Sequence, residues 1–253
     1  TSEVTKLESM NTDWFDLLTE DAFSHQHTVS ISGGSEEIRY YSSIGYSIDN
    51  DVIKGNNYER YTAALNVDAN VSKNIIASLN LNANVGKREY NEESINPIDY
   101  AYNTSRAIPA LDEQGRYVYY NRLYSYKQAF KYNILNELDN SYSHQDNSSI
   151  TLTANLRYKA TDWLSAQAIF SYSTSNTEQE NYLGEQTWYA ASLRKSEYGE
   201  VPGKGADIDN EMPYGGELRK EYTRNNSYTG RLQADISKYF GEDNQHNITA
   251  NLG

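Results

Sequence analysis

Apolar side chains recur at every second position over much of the chain. From His27, Val29 and Ile31 share one face while Thr28, Ser30 and Ser32 share the other, and the alternation stops at Gly33-Gly34, as in a strand followed by a turn. The next stripe holds Ile38, Tyr40, Ser42, Ile44, Tyr46 and Ile48, and a third holds Tyr61, Ala63, Leu65, Val67, Ala69 and Val71. The fourth runs from Ile75 to Val85 with Asn80, Asn82 and Asn84 interleaved, about eleven residues of strict alternation and enough to cross a bilayer at a tilt. Further stripes from Ile150 to Tyr158 and from Leu164 to Tyr172 flank the turn Lys159-Ala160-Thr161-Asp162. Those from Tyr228 to Ile236 and from Ile248 to Leu252 flank Gly241-Glu242-Asp243-Asn244. The pattern predicts an all-β chain of about eight antiparallel strands.

Short and long connections alternate along these strands. The long ones fall at about residues 49–58, 87–147 and 176–226, which puts every long connection at one end of the sheet. A transmembrane β-barrel has that layout, with short periplasmic turns and long extracellular loops. The face opposite the apolar stripes carries Asn80, Asn82, Asn155, Arg157, Arg231 and Asp235, too many polar groups to satisfy in a dry core, and these are expected to line a wet lumen. Tyr46, Tyr61, Tyr158, Tyr172 and Tyr228 sit near the stripe ends, as aromatic girdles do at membrane interfaces. A soluble antiparallel sheet with one packed and one solvated face produces the same alternation, so a soluble or surface-attached carbohydrate-binding β-sheet protein stays open. A small eight-stranded barrel without a transport role stays open too, because eight strands can close.

Composition narrows the chemistry. The 253 residues carry 35 acidic and 22 basic side chains, a formal charge of -13, which leaves no general attraction for nucleic acid. There is no cysteine, hence no disulfide, thiolate metal site or cysteine nucleophile. Mean hydropathy is -0.81, and no run of about 18 apolar residues supplies a spanning helix; a spanning barrel is compatible with both facts. No Gly-x-Ser-x-Gly elbow, His-Glu-x-x-His pair or phosphate-binding glycine loop occurs, so no enzyme is expected. His25 and His27 share a face but read as surface polarity rather than as a metal site. Asp207, Asp209 and Glu211 cluster oxygen ligands in the third long loop without the EF-hand spacing, and read as a solvated acidic loop rather than a calcium site.

The remaining chemistry is aromatic. Tyr117, Tyr119, Tyr120, Tyr124, Tyr126, Trp188 and Tyr189 fall in the long loops among Asn, Arg and Gln. Such rings stack on sugar or peptide faces while polar neighbours bond hydroxyls. Tyr119, Tyr120, Tyr124, Trp188 and Tyr189 are the candidate ligand contacts, against the alternative that the rings pack the loops onto one another.

Several segments resemble the barrel of SusC/RagA-type TonB-dependent outer-membrane transporters. They are Asn11-Thr12-Asp13-Trp14-Phe15-Asp16-Leu17-Leu18 with Ala22-Phe23-Ser24, then His27-Thr28-Val29-Ser30-Ile31-Ser32-Gly33-Gly34, and then Tyr40-Tyr41-Ser42-Ser43-Ile44-Gly45-Tyr46 with Val52-Ile53-Lys54-Gly55. Asn103-Thr104-Ser105-Arg106-Ala107-Ile108-Pro109-Ala110 with Asp112-Glu113-Gln114-Gly115-Arg116-Tyr117 is similar to a loop segment of those transporters. The resemblance implies residues 1–24 as a lead-in from plug to barrel and residues 25–253 as part of a wider barrel. It also implies uptake of oligosaccharides or peptides across the outer membrane of a Gram-negative bacterium. The implied partners are a SusD-like surface lipoprotein over the extracellular mouth, outer-membrane lipid, and TonB acting through the plug, with no cofactor.

Overall fold

The computed structural model describes residues 5, 9–124, 128–194, 212, 214–241 and 245–253, with residues 121–124 and 128–130 described by their backbone alone. A single antiparallel sheet dominates it. In chain order its strands are β1 (Ser24–Gly34), β2 (Ile38–Asn50), β3 (Asn57–Ser72), β4 (Ile75–Tyr90), β7 (Ser141–Lys159), β8 (Leu164–Leu183), β9 (Glu217–Phe240) and β10 (His246–Leu252). Each pairs with its neighbour in that order. The first long connection holds none of the named elements, whereas the second contains α2 (Pro97–Asn103), the hairpin β5 (Tyr120–Tyr124) and β6 (Gln128–Tyr132), and α3 (Ile134–Asp139); the third contains α4 (Trp188–Arg194). A short helix, α1 (Trp14–Leu18), precedes the sheet.

The register places every predicted stripe on one face. Ile44 lies opposite Val29 and Ala63, and Ala63 lies opposite Ala83, which lies opposite Ile150. One step along, Leu65 meets Leu81, Leu81 meets Leu152, Leu152 meets Tyr172 and Tyr172 meets Tyr228. A one-residue slip would invert each strand's faces; none occurs, and the register shift near Asn70 and Ser72 is confined to the end of β3. Ring pairs mark one edge of the stripe, Tyr46 with Tyr61 and Tyr172 with Tyr228, each with centroids 4.9 Å apart. Between those pairs the edge shifts by two outward positions along the ladder, from the Tyr61–Val85 rung to the Leu65–Leu81 rung that continues to Tyr172. Strands tilted against a barrel axis produce that slant.

Short turns close the other end. At residues 35–37 the Ser35 hydroxyl accepts from the Glu37 and Ile38 N–H groups at 3.2 and 3.3 Å. Gly34 is required there, because a Cβ would stand 2.2 Å from the Ile38 carbonyl. In the β7–β8 turn the Thr161 hydroxyl accepts from Leu164 N–H at 3.1 Å, and Lys159 pairs with Asp162 at 2.8 Å.

The strands run further than alternation alone indicates. The long connections are residues 51–56, 91–140 and 184–216, shorter than the expected spans, because β4, β7, β8 and β9 continue into stretches such as Ser141–Ser149 and Ser173–Leu183 that are polar on both faces. The eight strands do not close: β1 and β10 are the two edges of the sheet. A small closed eight-stranded barrel is therefore not the architecture.

The hydrophobic core lies outside the sheet. Trp14, Leu18, Ile95, Tyr100, Ala101, Ala110 and Ile134 are buried together in the long-connection layer, with the Trp14 and Tyr100 rings edge to face at 5.1 Å. On the sheet, by contrast, Val29, Ile44 and Leu232 are 72%, 68% and 76% exposed. A large exposed apolar face marks an interaction surface.

Candidate functional site: a two-faced wall and its loop layer

The wall has two chemically distinct faces. On the apolar face the stretch from Ile75 to Val85 covers ten residue steps, about 33 Å of strand, which at a tilt of about 40° rises about 25 Å. That is the height of the apolar band on an outer-membrane barrel. Trp163, in the β7–β8 turn, holds the Lys238 ammonium 5.3 Å from its ring centre at the opposite edge. Among the described residues no helix is long and apolar enough to cross a membrane.

Asn80, Asn82, Asn155, Arg157, Arg231 and Asp235 all lie on the other face. Asn80 is opposite Asn66 and Thr153, Asn82 opposite Thr151, Arg157 opposite Gln167, and Asp235 opposite Ser165. Cross-strand hydrogen bonds knit this face: Asn84 Nδ2 donates to Ser149 Oγ at 2.6 Å, Gln167 Nε2 to Asn155 Oδ1 at 2.9 Å, and Thr153 and Ser171 share a bond of 3.0 Å. Along β9, Arg231 donates to Gln233 at 2.7 Å and Gln233 to Asp235 at 2.6 Å. Neutral amides and hydroxyls thus fill the middle of the face, with charges toward its two ends, Arg157 and Asp235 near the short turns and Arg60 and Arg88 near the long connections.

The long connections and α1 form one layer. Asp13 caps α1, accepting from Phe15 and Asp16 N–H at 3.1 and 3.3 Å. The helix is clamped by Trp14 Nε1 donating to Ser105 O at 3.2 Å, by Arg106 paired with Asp13 at 3.0 Å, and by Lys54 Nζ donating to Asp16 O and Leu17 O at 2.7 and 3.0 Å. Residues 9–23, expected as a lead-in from a plug, are therefore built into the loop layer, because β1 starts at the long-connection end and runs toward the short turns.

The second and third connections are joined through buried polar groups. Asn133 caps α3 and donates from Nδ2 to Ala110 O at 2.7 Å. The Glu137 carboxylate, 3% exposed, accepts from Trp188 N–H at 2.9 and 3.2 Å, and Asn136 Nδ2 donates to Gln186 O at 2.9 Å. The buried Arg194 guanidinium donates to Glu185 O at 2.6 Å, to Met212 O at 3.1 Å and to Gly215 O. Sequence reasoning missed these residues, since an Asn or Glu in a polar loop carries no periodic signal of burial.

The candidate aromatic contacts share this layer. Tyr119 is half-buried and donates to Asn136 Oδ1 at 3.0 Å; burial, then the Glu137 charge, raise its pKa. Tyr120 packs against the Trp14 cluster. The backbone of Tyr124 ends β5, while its side chain and Tyr126 lie outside the described residues. Trp188 opens α4, and Tyr189 donates to Glu217 and accepts from Arg219 Nη2 at 3.2 Å. The hydroxyls of Tyr119 and Tyr189 are thus engaged within the layer. Tyr117 donates to Asp139, which with burial pushes its pKa up to about 12. Asp207, Asp209 and Glu211 lie outside the described residues. Among those described, no group of three His, Cys, Asp or Glu side chains is placed to hold a metal.

An unclosed antiparallel sheet with one apolar and one polar face, and its long connections at one end, is a section of β-barrel wall. No family model matches the chain. A stretch of 61 residues is 43% identical to the TonB-dependent receptor SusC of Bacteroides thetaiotaomicron, and 62 residues are 39% identical to the TonB-dependent receptor P26 of Formosa agariphila. Each match covers 24% of this chain and 6% of the relative. The fold superposes on the RagAB peptide importer in its closed-closed state with a TM-score of 0.67 at 19% identity, over 96% of this chain and 25% of that one. It superposes on the RagAB peptide transporter at 0.66. In sequence over about a quarter of its length and in fold over nearly all of it, the chain resembles the barrel of SusC/RagA-type TonB-dependent receptors. It spans only a small part of those relatives.

Proposed function

We propose that the chain is a stretch of the wall of an outer-membrane, TonB-dependent transporter of a Gram-negative bacterium. The apolar face meets lipid, the polar face lines the lumen, the short turns lie in the periplasm and the loop layer stands outside the cell. The observation that carries this reading is the apolar band, about 25 Å high along β4, continued by apolar positions on the same face of the neighbouring strands. Ligand, an oligosaccharide or a peptide, is captured at the loop layer, with a SusD-like lipoprotein over the mouth and energy supplied by TonB through a plug. Tyr119, Tyr120, Trp188 and Tyr189, each partly exposed in that layer, are the aromatic contacts assigned to that role. The wall positions and encloses the ligand without chemistry on it.

Uptake of labelled oligosaccharides and peptides tests this in cells carrying the full-length protein. Accumulation that disappears when either this gene or TonB is removed supports the reading. Uptake indifferent to TonB refutes it.

A further inference from the structure

The middle of the polar face is knit by bonds between its own side chains, Asn84 to Ser149 at 2.6 Å, Thr151 to Ser173 at 3.1 Å and Thr153 to Ser171 at 3.0 Å. Toward the long connections that knitting stops. One rung there runs Asp49, Tyr58, Arg88 and Gln145 across β2, β3, β4 and β7, which sets an acid, a ring, a base and an amide side by side at about 4.8 Å per strand. By parity with Asn66, Asn80 and Asn155 all four share the polar face. Among the described residues the Tyr58 and Gln145 side chains make no hydrogen bond. Arg88 makes none either and rests 5.3 Å from the Tyr90 ring centre, while Asp49 takes only the Ser24 hydroxyl, through Oδ1. On the next rung Asn147 lies opposite Gly86, with its Oδ1 buried and without a donor, a deficit that native structures rarely leave unanswered. A Cβ at Gly86 would stand 2.3 Å from Asn147 Oδ1 and 2.7 Å from the Tyr58 hydroxyl, so both side chains use the room this glycine leaves.

The rung lines an open cavity of about 580 Å³ between the wall and the first long connection, an ordinary size for a small-ligand site. The connection's own polar groups are committed: Asp51 accepts from Val52 N–H at 2.6 Å and from Asn56 Nδ2 at 3.2 Å, and Asn56 Oδ1 accepts from Asn91 N–H at 3.0 Å. Glu89, at the cavity's edge, accepts from Asn57 Nδ2 at 3.2 Å. The free groups are therefore those of the wall. Besides Tyr58, only Ala22 and Val52 of the described lining are apolar, which gives peptide side chains no pocket. Three carboxylates, Asp49, Asp51 and Glu89, stand against the one guanidinium of Arg88, which disfavours an acidic cargo. Hydroxyls that each donate and accept answer such a row of acceptor, donor and amide, and the C–H face of a sugar answers the ring. We infer that this rung is a subsite for a neutral oligosaccharide between the loop layer and the lumen. Tyr58 stacks on a sugar ring, Asp49 Oδ2 accepts from its hydroxyls, and Arg88 and Gln145 donate to them. The subsite deepens the proposed function and rests on it, since the rung meets cargo only where the polar face lines the lumen.

The test uses the full-length protein in detergent on an array of neutral and uronate-containing oligosaccharides, with a lysine-rich peptide as the competitor that the carboxylates would attract. The wild type is expected to retain a neutral oligosaccharide in preference to both others. On that oligosaccharide Arg88→Ala and Tyr58→Ala are each expected to weaken binding about tenfold, and Gly86→Ala, which displaces Tyr58 and Asn147, by a similar factor. Lys87→Ala, one residue away on β4 but on the opposite face, is expected to leave binding unchanged. Neither Tyr58 nor Arg88 supports a side-chain hydrogen bond in the wall, so both variants fold, and unchanged unfolding midpoints check this. Equal affinity of the wild type, Arg88→Ala and Tyr58→Ala overturns the subsite. So does an array on which no neutral oligosaccharide is retained, or retention of the peptide in place of all of them. Uptake in cells separates these results from the transporter reading: TonB-dependent uptake leaves that reading standing without the subsite, whereas uptake indifferent to TonB overturns both.

Discussion

Placing an arginine at Leu79 tests the two faces most directly. Leu79 lies between Val67 and Ala154 on the apolar face. It is four residue steps from the start of β4 at Ile75. That is about 13 Å of strand and about 10 Å of height at a tilt of about 40°, close to the middle of a band about 25 Å tall. An arginine there should cost about 2–4 kcal/mol in a bilayer. Val85 is near the upper edge, where the cost falls to about 0–1 kcal/mol. Asn80 is the next residue along β4 but faces Asn66 and Thr153, so Asn80→Arg should change stability by no more than about 0.5 kcal/mol. The assay is reversible guanidinium unfolding of the full-length barrel in lipid vesicles, followed by tryptophan fluorescence. The expected order of cost is Leu79→Arg, then Val85→Arg, then Asn80→Arg. Equal costs for Leu79→Arg and Asn80→Arg would refute the assignment of faces, and equal costs at Leu79 and Val85 would refute the placement of the membrane.

Other perturbations address the loop layer. Trp14→Ala should cost about 3–5 kcal/mol by emptying the cluster around Tyr100 and Ile134, seen as earlier proteolysis in residues 91–140 with the sheet intact. Glu137→Ala leaves the Trp188 N–H without its carboxylate, a loss of about 1–3 kcal/mol, and faster hydrogen exchange across Thr187–Ala191 would report it. Glu180 has a lowered pKa because Lys220 and then Tyr142 donate to it, and Glu217 because Tyr189 and then Arg219 donate to it. Their stabilisation is therefore full above the ordinary carboxylate pKa of 4.5 and is lost as pH falls through the lowered values. Hydrogen exchange of the strand ends around Tyr182 and Leu218 should rise at acid pH in the wild type, and Glu180→Gln with Glu217→Gln should remove most of that pH dependence.

Period two in the sequence was enough to determine the strands of the wall, their pairing faces and the turn ends, because a strand with one apolar and one polar face must alternate at every step. The same rule failed where both faces are wet. Residues 141–147 and 176–183 read as loop from their composition, yet they extend β7 and β8 by backbone pairing, which side-chain polarity does not encode. Sequence also placed Asn80, Asn155 and Asp235 on one face, since parity fixes that, but it could not place Tyr58 and Arg88 beside Gln145; that needs the register across strands far apart in sequence. Only the tertiary structure decided that Trp14, Tyr100 and Ile134 form the core, that Glu137 is buried against Trp188, and that β1 and β10 remain edges. Burial in the loop layer comes from contacts between residues about a hundred positions apart, made by short capped helices with no amphipathic period long enough to read. A local pattern reports the solvent on each side of a strand; which distant segments exclude water together is settled only when the chain folds.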